Sequence, residues 1–174
     1  MAMKHLLTLF IAIIAAWPMV ADASAVPSFL KLNRDERVAT LKAVLNSYKS
    51  PFSNEAKNFV FYADKYKLDW KLVAAIAGVE STFGKHIPAG SYNAWGWAVY
   101  TDKQSGASFT SWEHGIATVS EGLRKNYADD GLTSPEEIGR RYADSRAWPN
   151  SVRFFLTIIE EFTPSSSRTL PIEL

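Results

Sequence analysis

The sequence predicts a mainly α-helical domain interrupted by one small β-hairpin or irregular loop. Apolar residues recur at helical spacing over most of the chain. Two Ser/Thr-x-x-Glu patterns, at 110–113 and 134–137, are typical of helix starts. Between 87 and 109, by contrast, glycines and aromatic residues replace the helical pattern, which indicates the hairpin or loop.

The first 25 residues have the three parts of a secretory signal peptide. Lys4 gives a basic start, residues 6–16 form an uncharged apolar run, and the small residues at 21–25 provide A-x-A cleavage sites. An uncleaved membrane anchor is the alternative, but this run of about 11 residues is shorter than the roughly 20 of a spanning helix. We therefore expect cleavage after Ala23 or Ala25. No other segment is apolar enough to span a bilayer, so we expect a soluble, secreted or periplasmic protein.

The composition indicates one domain, which we place at 26–163, followed by a flexible tail at 164–174. The formal net charge of +1 gives no reason to expect binding to nucleic acid or to an anionic membrane. The chain has no cysteine, which excludes disulfides, thiolate metal sites and a lipid-modified export signal. Its 3 histidines are too scattered for a metal cluster. We expect a monomer without metal or cofactor.

Six helices are predicted from the spacing of apolar residues and from capping signals. The first two cover 37–48 and 54–66, and the third covers 70–83, with Asp69 as its N-cap and Gly84 at its end. Later helices start at the capping boxes of Thr110 and Ser134 and at Pro149. Residues 97–100 and 107–109 are placed to pair as the hairpin.

Glu80 lies on the apolar side of the third predicted helix. On a helical wheel it falls between Ile76 and Val73, within an apolar arc of roughly 120°. A carboxylate there is costly unless it is paired or protonated through a raised pKa. Two interpretations follow. Either Glu80 pairs with a base such as Lys85 or lies at the helix edge in water, or it is a general acid, which glycosidic cleavage requires.

The residues around Glu80 resemble the lysozyme-like superfamily. Residues 75–84 (AIAGVESTFG) are similar to the Glu-Ser signature helix of lytic transglycosylases and bacterial glucosaminidases, and 91–97 (SYNAWGW) resemble the S-x-N-x-x-G segment of the glucosaminidases. Residues 109–116 and the segment from Tyr142 to Pro149 are similar to later blocks, so the resemblance covers about 52–162. Residues 94–97 (AWGW) depart from the Gly-Leu-Met-Gln block of lytic transglycosylases, which favours the glucosaminidases.

The resemblance implies a lysozyme-like fold and an exported hydrolase that cuts β-1,4 bonds of peptidoglycan or a related N-acetylhexosamine polymer. It implies Glu80 as the general acid and base, and Tyr142 as a second catalytic residue that orients the sugar. An endo-β-N-acetylglucosaminidase is the first expectation. The alternatives are a lytic transglycosylase giving 1,6-anhydro products and a non-catalytic glycan-binding module of the same fold.

The loop after the third helix is expected to contact the glycan, because sugar rings pack their apolar faces on aromatic planes. The expected substrate-binding residues are Ser81, Tyr92, Asn93, Trp95, Gly96 and Tyr100. Core positions for the aromatic rings and a turn role for Asn93 are the alternatives. His86 is expected at the surface, beyond the helix end.

A hydrolase normally needs a second carboxylate. The candidates in this sequence are Asp102, Glu113, Glu121 and Asp144. Glu113 is expected instead to complete a capping box, and Glu121 to lie on a solvated helix face. Attack by the substrate's own acetamido oxygen or by its muramyl 6-hydroxyl would make a second protein carboxylate unnecessary.

Overall fold

The computed structural model describes residues 34–98 and 106–162, and this part of the chain is mainly α-helical, as predicted. Two short 3-10 helices, Ser53–Glu55 and Ala128–Asp130, lie between longer elements. The α-helices are α1 (Arg34–Ser47), α2 (Ala56–Tyr66), α3 (Leu72–Ser81), α4 (Trp112–Asn126), α5 (Pro135–Tyr142) and α6 (Trp148–Glu161). The predicted signal peptide, Tyr100, Asp102 and the tail at 164–174 lie outside the described residues.

Helix α3 is the central element and packs mainly against α6, with further contacts to α2 and α4. The two helices run antiparallel, since Lys71 before the start of α3 lies 3.7 Å from Glu160 near the end of α6. They approach closely at Gly78, where a Cβ atom would stand 2.8 Å from the ring of Phe155. This packing brings the last turn of α3 beside the start of α6.

The sequence predicted that one side of α3, an arc of roughly 120°, is apolar, but burial extends around the whole helix. Every residue from Leu72 to Gly78 is buried, whichever side of the helix it occupies. Only Val79 and Glu80, in the last turn, reach the surface before Ser81 is buried again. Glu80 is therefore distinguished by its place at the helix end and not by an apolar stripe around it.

The ends of α3 differ from the prediction by two residues at each side. Asp69 caps a preceding turn, where its Oδ1 accepts a hydrogen bond from the Lys71 backbone N–H (2.9 Å), and α3 begins afterwards. At the other end Thr82 and Phe83 already adopt left-handed φ angles of 52° and 56°, before Gly84 does so at 83°. These residues end the helix and start the loop that faces Glu80.

One of the two predicted capping boxes is confirmed, and the other does not form. Ser134 Oγ accepts the Glu137 N–H (3.3 Å), and Glu137 Oε2 accepts the Ser134 N–H (2.9 Å). Helix α4 is capped by Ser111 instead of Thr110, because the Ser111 hydroxyl accepts the backbone N–H of His114. Glu113 therefore takes no part in a capping box. Its carboxylate instead accepts a hydrogen bond of 3.3 Å from the hydroxyl of Tyr62.

The segment between α3 and α4 is an irregular loop in its described parts, 82–98 and 106–111, which contain no strand. Single backbone bonds hold it, from Phe109 N–H to Ser91 oxygen (2.8 Å) and from Ala107 N–H to Trp97 oxygen (3.1 Å). Across residues 34–98 and 106–162, no helix combines the length and the apolar character needed to cross a bilayer.

Candidate functional site

An open cavity of about 340 Å³ lies where the end of α3 meets the following loop. Its floor and walls combine one carboxylate, one imidazole, several hydroxyls and backbone. The lining residues are Glu80, Ser81, His86, Pro88, Ser91, Asn93, Gly96, Gly106, Ala107 and Ser108. The cavity thus brings together part of the predicted site and several residues that the sequence did not indicate.

The two carboxyl oxygens of Glu80 have different surroundings. Oε1 accepts a hydrogen bond of 2.7 Å from the indole N–H of Trp148, at the start of α6. Oε2 faces Gly96 across the cavity wall, since a Cβ atom on that glycine would stand 3.4 Å from it. The described basic residues form no ion pair with Glu80, so the alternative of a salt bridge to Lys85 is not observed.

Burial raises the pKa of the Glu80 carboxyl above its ordinary value, and the hydrogen bond from Trp148 opposes this effect only in part. The side chain is nevertheless exposed, and it lines the cavity. The two facts are compatible, because protein atoms crowd the carboxyl from the α6 and loop sides while the remaining edge is open. A carboxyl of this kind keeps its proton to a higher pH than an ordinary glutamate does, and it can still meet a ligand.

Tyr142, at the end of α5, lies behind Trp148. The two rings stack at 5.0 Å with an angle of 27° between their planes. The Tyr142 hydroxyl donates a 2.7 Å hydrogen bond to the backbone oxygen of Trp95. Its pKa is raised well above the ordinary tyrosine value by burial, and further by the charge of Glu80. Tyr142 is thus a neutral residue near Glu80 whose proton is engaged by the loop.

Ser81 and Asn93 line the cavity, but their polar atoms are already used to hold the loop. Ser81 Oγ donates to the Ala94 oxygen (2.8 Å) and accepts the Gly84 N–H (2.8 Å). The Asn93 amide donates to the oxygens of Trp97 (3.0 Å) and Ala107 (2.9 Å) and accepts the Trp97 N–H (3.0 Å). For Asn93 the structure supports the turn role.

Two aromatic residues that were expected to touch the glycan do not line the cavity. Trp95 has no exposed surface, and its indole N–H donates to the Val73 backbone oxygen at 2.9 Å, so its ring belongs to the core. This corrects the expectation for Trp95. Tyr92 is exposed with φ 49°, and its ring packs edge-on against Trp112 instead. Gly96 does line the cavity, where its φ of 59° suits a residue without a side chain.

Sequence reasoning gave no site role to Trp148, His86, Ser91 or Ser108. Trp148 is 68 residues from Glu80 along the chain, so no local pattern could pair them. His86 is exposed, as expected, but it also lines the cavity. The two serines add hydroxyl groups to the cavity wall.

The candidates for a second carboxylate do not reach the cavity where the structure describes them. Glu113 bonds Tyr62, Glu121 pairs with Lys125 in the next turn of α4, and Asp144 is not a lining residue. Asp102 falls in the undescribed segment. Among the described lining residues, Glu80 is the only carboxylate.

Neither a scan against protein-family models nor a search of the curated proteins finds a match for the chain.

Proposed function

We propose that the protein is an exported glycosidase that cleaves β-1,4 bonds between N-acetylhexosamine units of peptidoglycan, with Glu80 as the general acid. One observation carries the proposal. The carboxyl of Glu80 has a raised pKa, forms no ion pair with the described basic residues and opens onto a cavity beside the end of a buried helix. The resemblance of residues 75–84 and 91–97 to glucosaminidase segments supplies the substrate class.

The cavity is of a size and composition that suits a sugar. Its volume of about 340 Å³ lies at the lower end of the roughly 300–1,000 Å³ range of small-ligand pockets. The hydroxyls of Ser91 and Ser108 and the imidazole of His86 offer hydrogen bonds to sugar hydroxyl or acetamido groups. These residues replace Trp95 as the expected glycan contacts on this side of the loop.

The reaction follows from the state of the Glu80 carboxyl. The protonated acid donates its proton to the glycosidic oxygen as the bond from that oxygen to the anomeric carbon breaks. The carboxylate that remains then accepts a proton from the attacking water or hydroxyl, which restores the acid. Tyr142 supports this step indirectly, since its ring backs Trp148 and its hydroxyl holds the loop.

The nucleophile is best supplied by the substrate, because Glu80 is the only carboxylate among the described lining residues. Attack by the 2-acetamido oxygen closes a ring on the anomeric carbon as the leaving sugar departs, and water must then open this ring to give the hydrolytic product. Attack by the muramyl 6-hydroxyl, which loses its proton to the Glu80 carboxylate, gives a 1,6-anhydro product. Mass spectrometry of the released fragments separates these outcomes. Replacing Asp102 with Asn tests the remaining sequence candidate, since loss of cleavage there would restore a two-carboxylate mechanism.

Glu80→Gln tests the proposal directly. We expect it to reduce cleavage of purified peptidoglycan by about 10²–10⁴-fold, since the N–H groups of the amide are not acidic enough to protonate the glycosidic oxygen. Binding to the same material and the melting temperature should stay near the wild-type values. Glu121→Gln is the matched control, because its exposed carboxylate pairs with Lys125 on α4, and it should retain full activity.

Two non-enzymatic hypotheses, a glycan-binding module and a structural protein in which Glu80 has no chemical role, predict different results. A non-catalytic glycan-binding module would bind peptidoglycan but release no fragments, whether or not Glu80 is replaced. A structural protein would neither bind nor cleave, and Glu80→Gln would change only its stability. A wild-type protein that releases no fragments from peptidoglycan therefore refutes the proposed activity.

A further inference from the structure

We propose that Trp148 is a positioning residue that determines which oxygen of Glu80 carries the transferable proton. Its indole N–H holds Oε1 and thereby leaves Oε2, on the side of Gly96, as the oxygen that is protonated and faces the substrate. The catalytic consequence rests on the proposed function. The effect on the Glu80 carboxyl itself does not, and it can be measured without substrate.

The donor is held firmly by its surroundings. Trp148 is 4 % exposed and opens α6. Tyr142 stacks on one side of its ring, and Gly139 of α5 approaches so closely that a Cβ atom there would stand 3.0 Å from Trp148 Cε3. Because the ring has no room to turn away, its N–H keeps one fixed direction toward the end of α3.

The chemistry of the two groups makes this contact directional. An indole N–H can only donate a hydrogen bond. A neutral carboxyl has one oxygen that carries the hydrogen and one that serves best as acceptor, so a donor fixed at Oε1 favours protonation of Oε2. Oε2 is also the oxygen next to Gly96, a residue that lines the cavity. The proton is therefore placed on the side from which a glycosidic oxygen would approach.

The same hydrogen bond affects the proton affinity of Glu80. A hydrogen bond to a charged acceptor is stronger than one to a neutral acceptor, so the indole N–H stabilises the carboxylate more than the acid. It therefore holds down a pKa that burial raises. Because Trp148 carries no charge, this lowering is smaller than the rise caused by burial, and the carboxyl keeps a pKa above the ordinary value.

The experiment measures the pKa of Glu80 by NMR in folded protein carrying ¹³C-labelled glutamate side chains. Trp148→Phe keeps an aromatic ring but removes the N–H, and we expect the Glu80 pKa to rise by about 1. Trp95→Phe is the matched control, because it removes an indole hydrogen bond to a backbone oxygen in the core. It should leave the Glu80 pKa unchanged. An unchanged or lowered pKa in Trp148→Phe overturns the proposal.

A second measurement needs no variant and covers the case in which Trp148→Phe does not fold. In the wild-type protein the indole N–H resonance of Trp148 should shift with pH, with a midpoint at the pKa of Glu80. The indole resonance of Trp95 should not follow that titration. If the Trp148 resonance does not change as Glu80 ionises, the proposal that this hydrogen bond controls the protonation of Glu80 is refuted.

The pH profile of cleavage connects the contact to catalysis. In the wild type, kcat should fall as pH rises through the pKa of Glu80, because the general acid is then deprotonated. In Trp148→Phe this fall should move about 1 pH unit higher, with kcat reduced more than KM is changed. If the wild type cleaves nothing, the proposed function fails, while the two NMR measurements still decide the role of Trp148.

Discussion

Two buried serines, Ser81 and Ser120, allow a direct measurement of what holds the loop beside Glu80. Both are on helices and nearly inaccessible, at 4 % and 0 % exposure. The hydroxyl of Ser81 bonds the Ala94 oxygen and the Gly84 N–H, which are both loop groups. The hydroxyl of Ser120 has no hydrogen-bond partner among the described residues. Replacing each serine with Ala therefore removes a hydrogen-bonded hydroxyl in one variant and an unsatisfied hydroxyl in the other.

The expected magnitudes follow from the groups left behind. Ser81→Ala leaves a buried backbone oxygen and a buried N–H without this partner, each at a cost of about 1–3 kcal/mol. The free energy of unfolding should therefore fall by about 2–6 kcal/mol, which lowers Tm by roughly 5–20 °C in a domain of this size. Ser120→Ala removes an unsatisfied hydroxyl and improves helix propensity, so it should be neutral or stabilising by up to about 1 kcal/mol.

Urea denaturation followed by tryptophan fluorescence gives both free energies under one set of conditions. Ser81→Ala should also accelerate hydrogen exchange at the Gly84 amide, whereas Ser120→Ala should not affect it. The reasoning is refuted if the two variants lose similar stability, or if Ser81→Ala stays within about 0.5 kcal/mol of the wild type.

The remaining predictions concern one glycine and one helix cap. Gly96→Ala should lose about 1–2 kcal/mol of stability, because φ is 59° and an L side chain is strained there. It should also reduce cleavage, since its Cβ would stand 3.4 Å from Glu80 Oε2. Gly131→Ala is the control, because its φ is 79° and the space around it is open, so it should lose similar stability but keep full activity. Equal activity in the two variants would contradict the expectation that a Cβ atom at position 96 interferes with Glu80. Backbone and side-chain hydrogen bonds lower the pKa of Glu137 to about 2, so it stabilises the fold above its unfolded pKa, and this contribution is lost as pH falls from about 5 toward 2. Glu137→Gln should therefore flatten the fall in unfolding free energy over that range, and an unchanged slope would contradict this.

Local signals predicted the helices well, but tertiary packing decided their exact starts. The box at Ser134 has one capping hydroxyl in the right place and formed as predicted. At the start of α4 two hydroxyl residues are adjacent, Thr110 and Ser111, and either can cap a helix. The structure uses Ser111, with Trp112 as the first helical residue and its ring against Phe52 in the core. Which residue caps the helix therefore depends on a contact far away in the sequence.

The candidate acid could be predicted from sequence, but its partner could not. Glu80 stands out because it follows a run of apolar and small residues, and a charge in such a place requires an explanation. Trp148 gave no comparable signal, since a tryptophan at a helix start is equally suited to the core. Its role depends on the antiparallel packing of α3 and α6, which brings the two residues together across the domain.

The aromatic loop shows why composition alone could not assign glycan contacts. Tyr92, Trp95 and Trp97 lie within six positions of one another, yet each has a different environment. Trp95 is in the core, and the ring of Trp97 packs so closely on α4 that a Cβ atom on Gly122 would clash with it. The left-handed φ angles of Tyr92 and Gly96 turn the backbone between them. Burial therefore changes residue by residue, with no period that a sequence pattern can reveal.

The arrangement around Glu80 reconciles two requirements that oppose each other in the general acid that we propose. A fully buried carboxyl would keep its proton but could not reach a substrate, whereas a fully exposed one would lose its proton near pH 4. A lysine or arginine at the position of the indole would orient the carboxyl but would also lower its pKa strongly, because an opposite charge favours the ionised form. A neutral donor such as Trp148 orients Oε1 with a much smaller effect on proton affinity. The open edge toward the cavity can then remain in contact with solvent, since burial on the other sides is sufficient to keep the pKa raised.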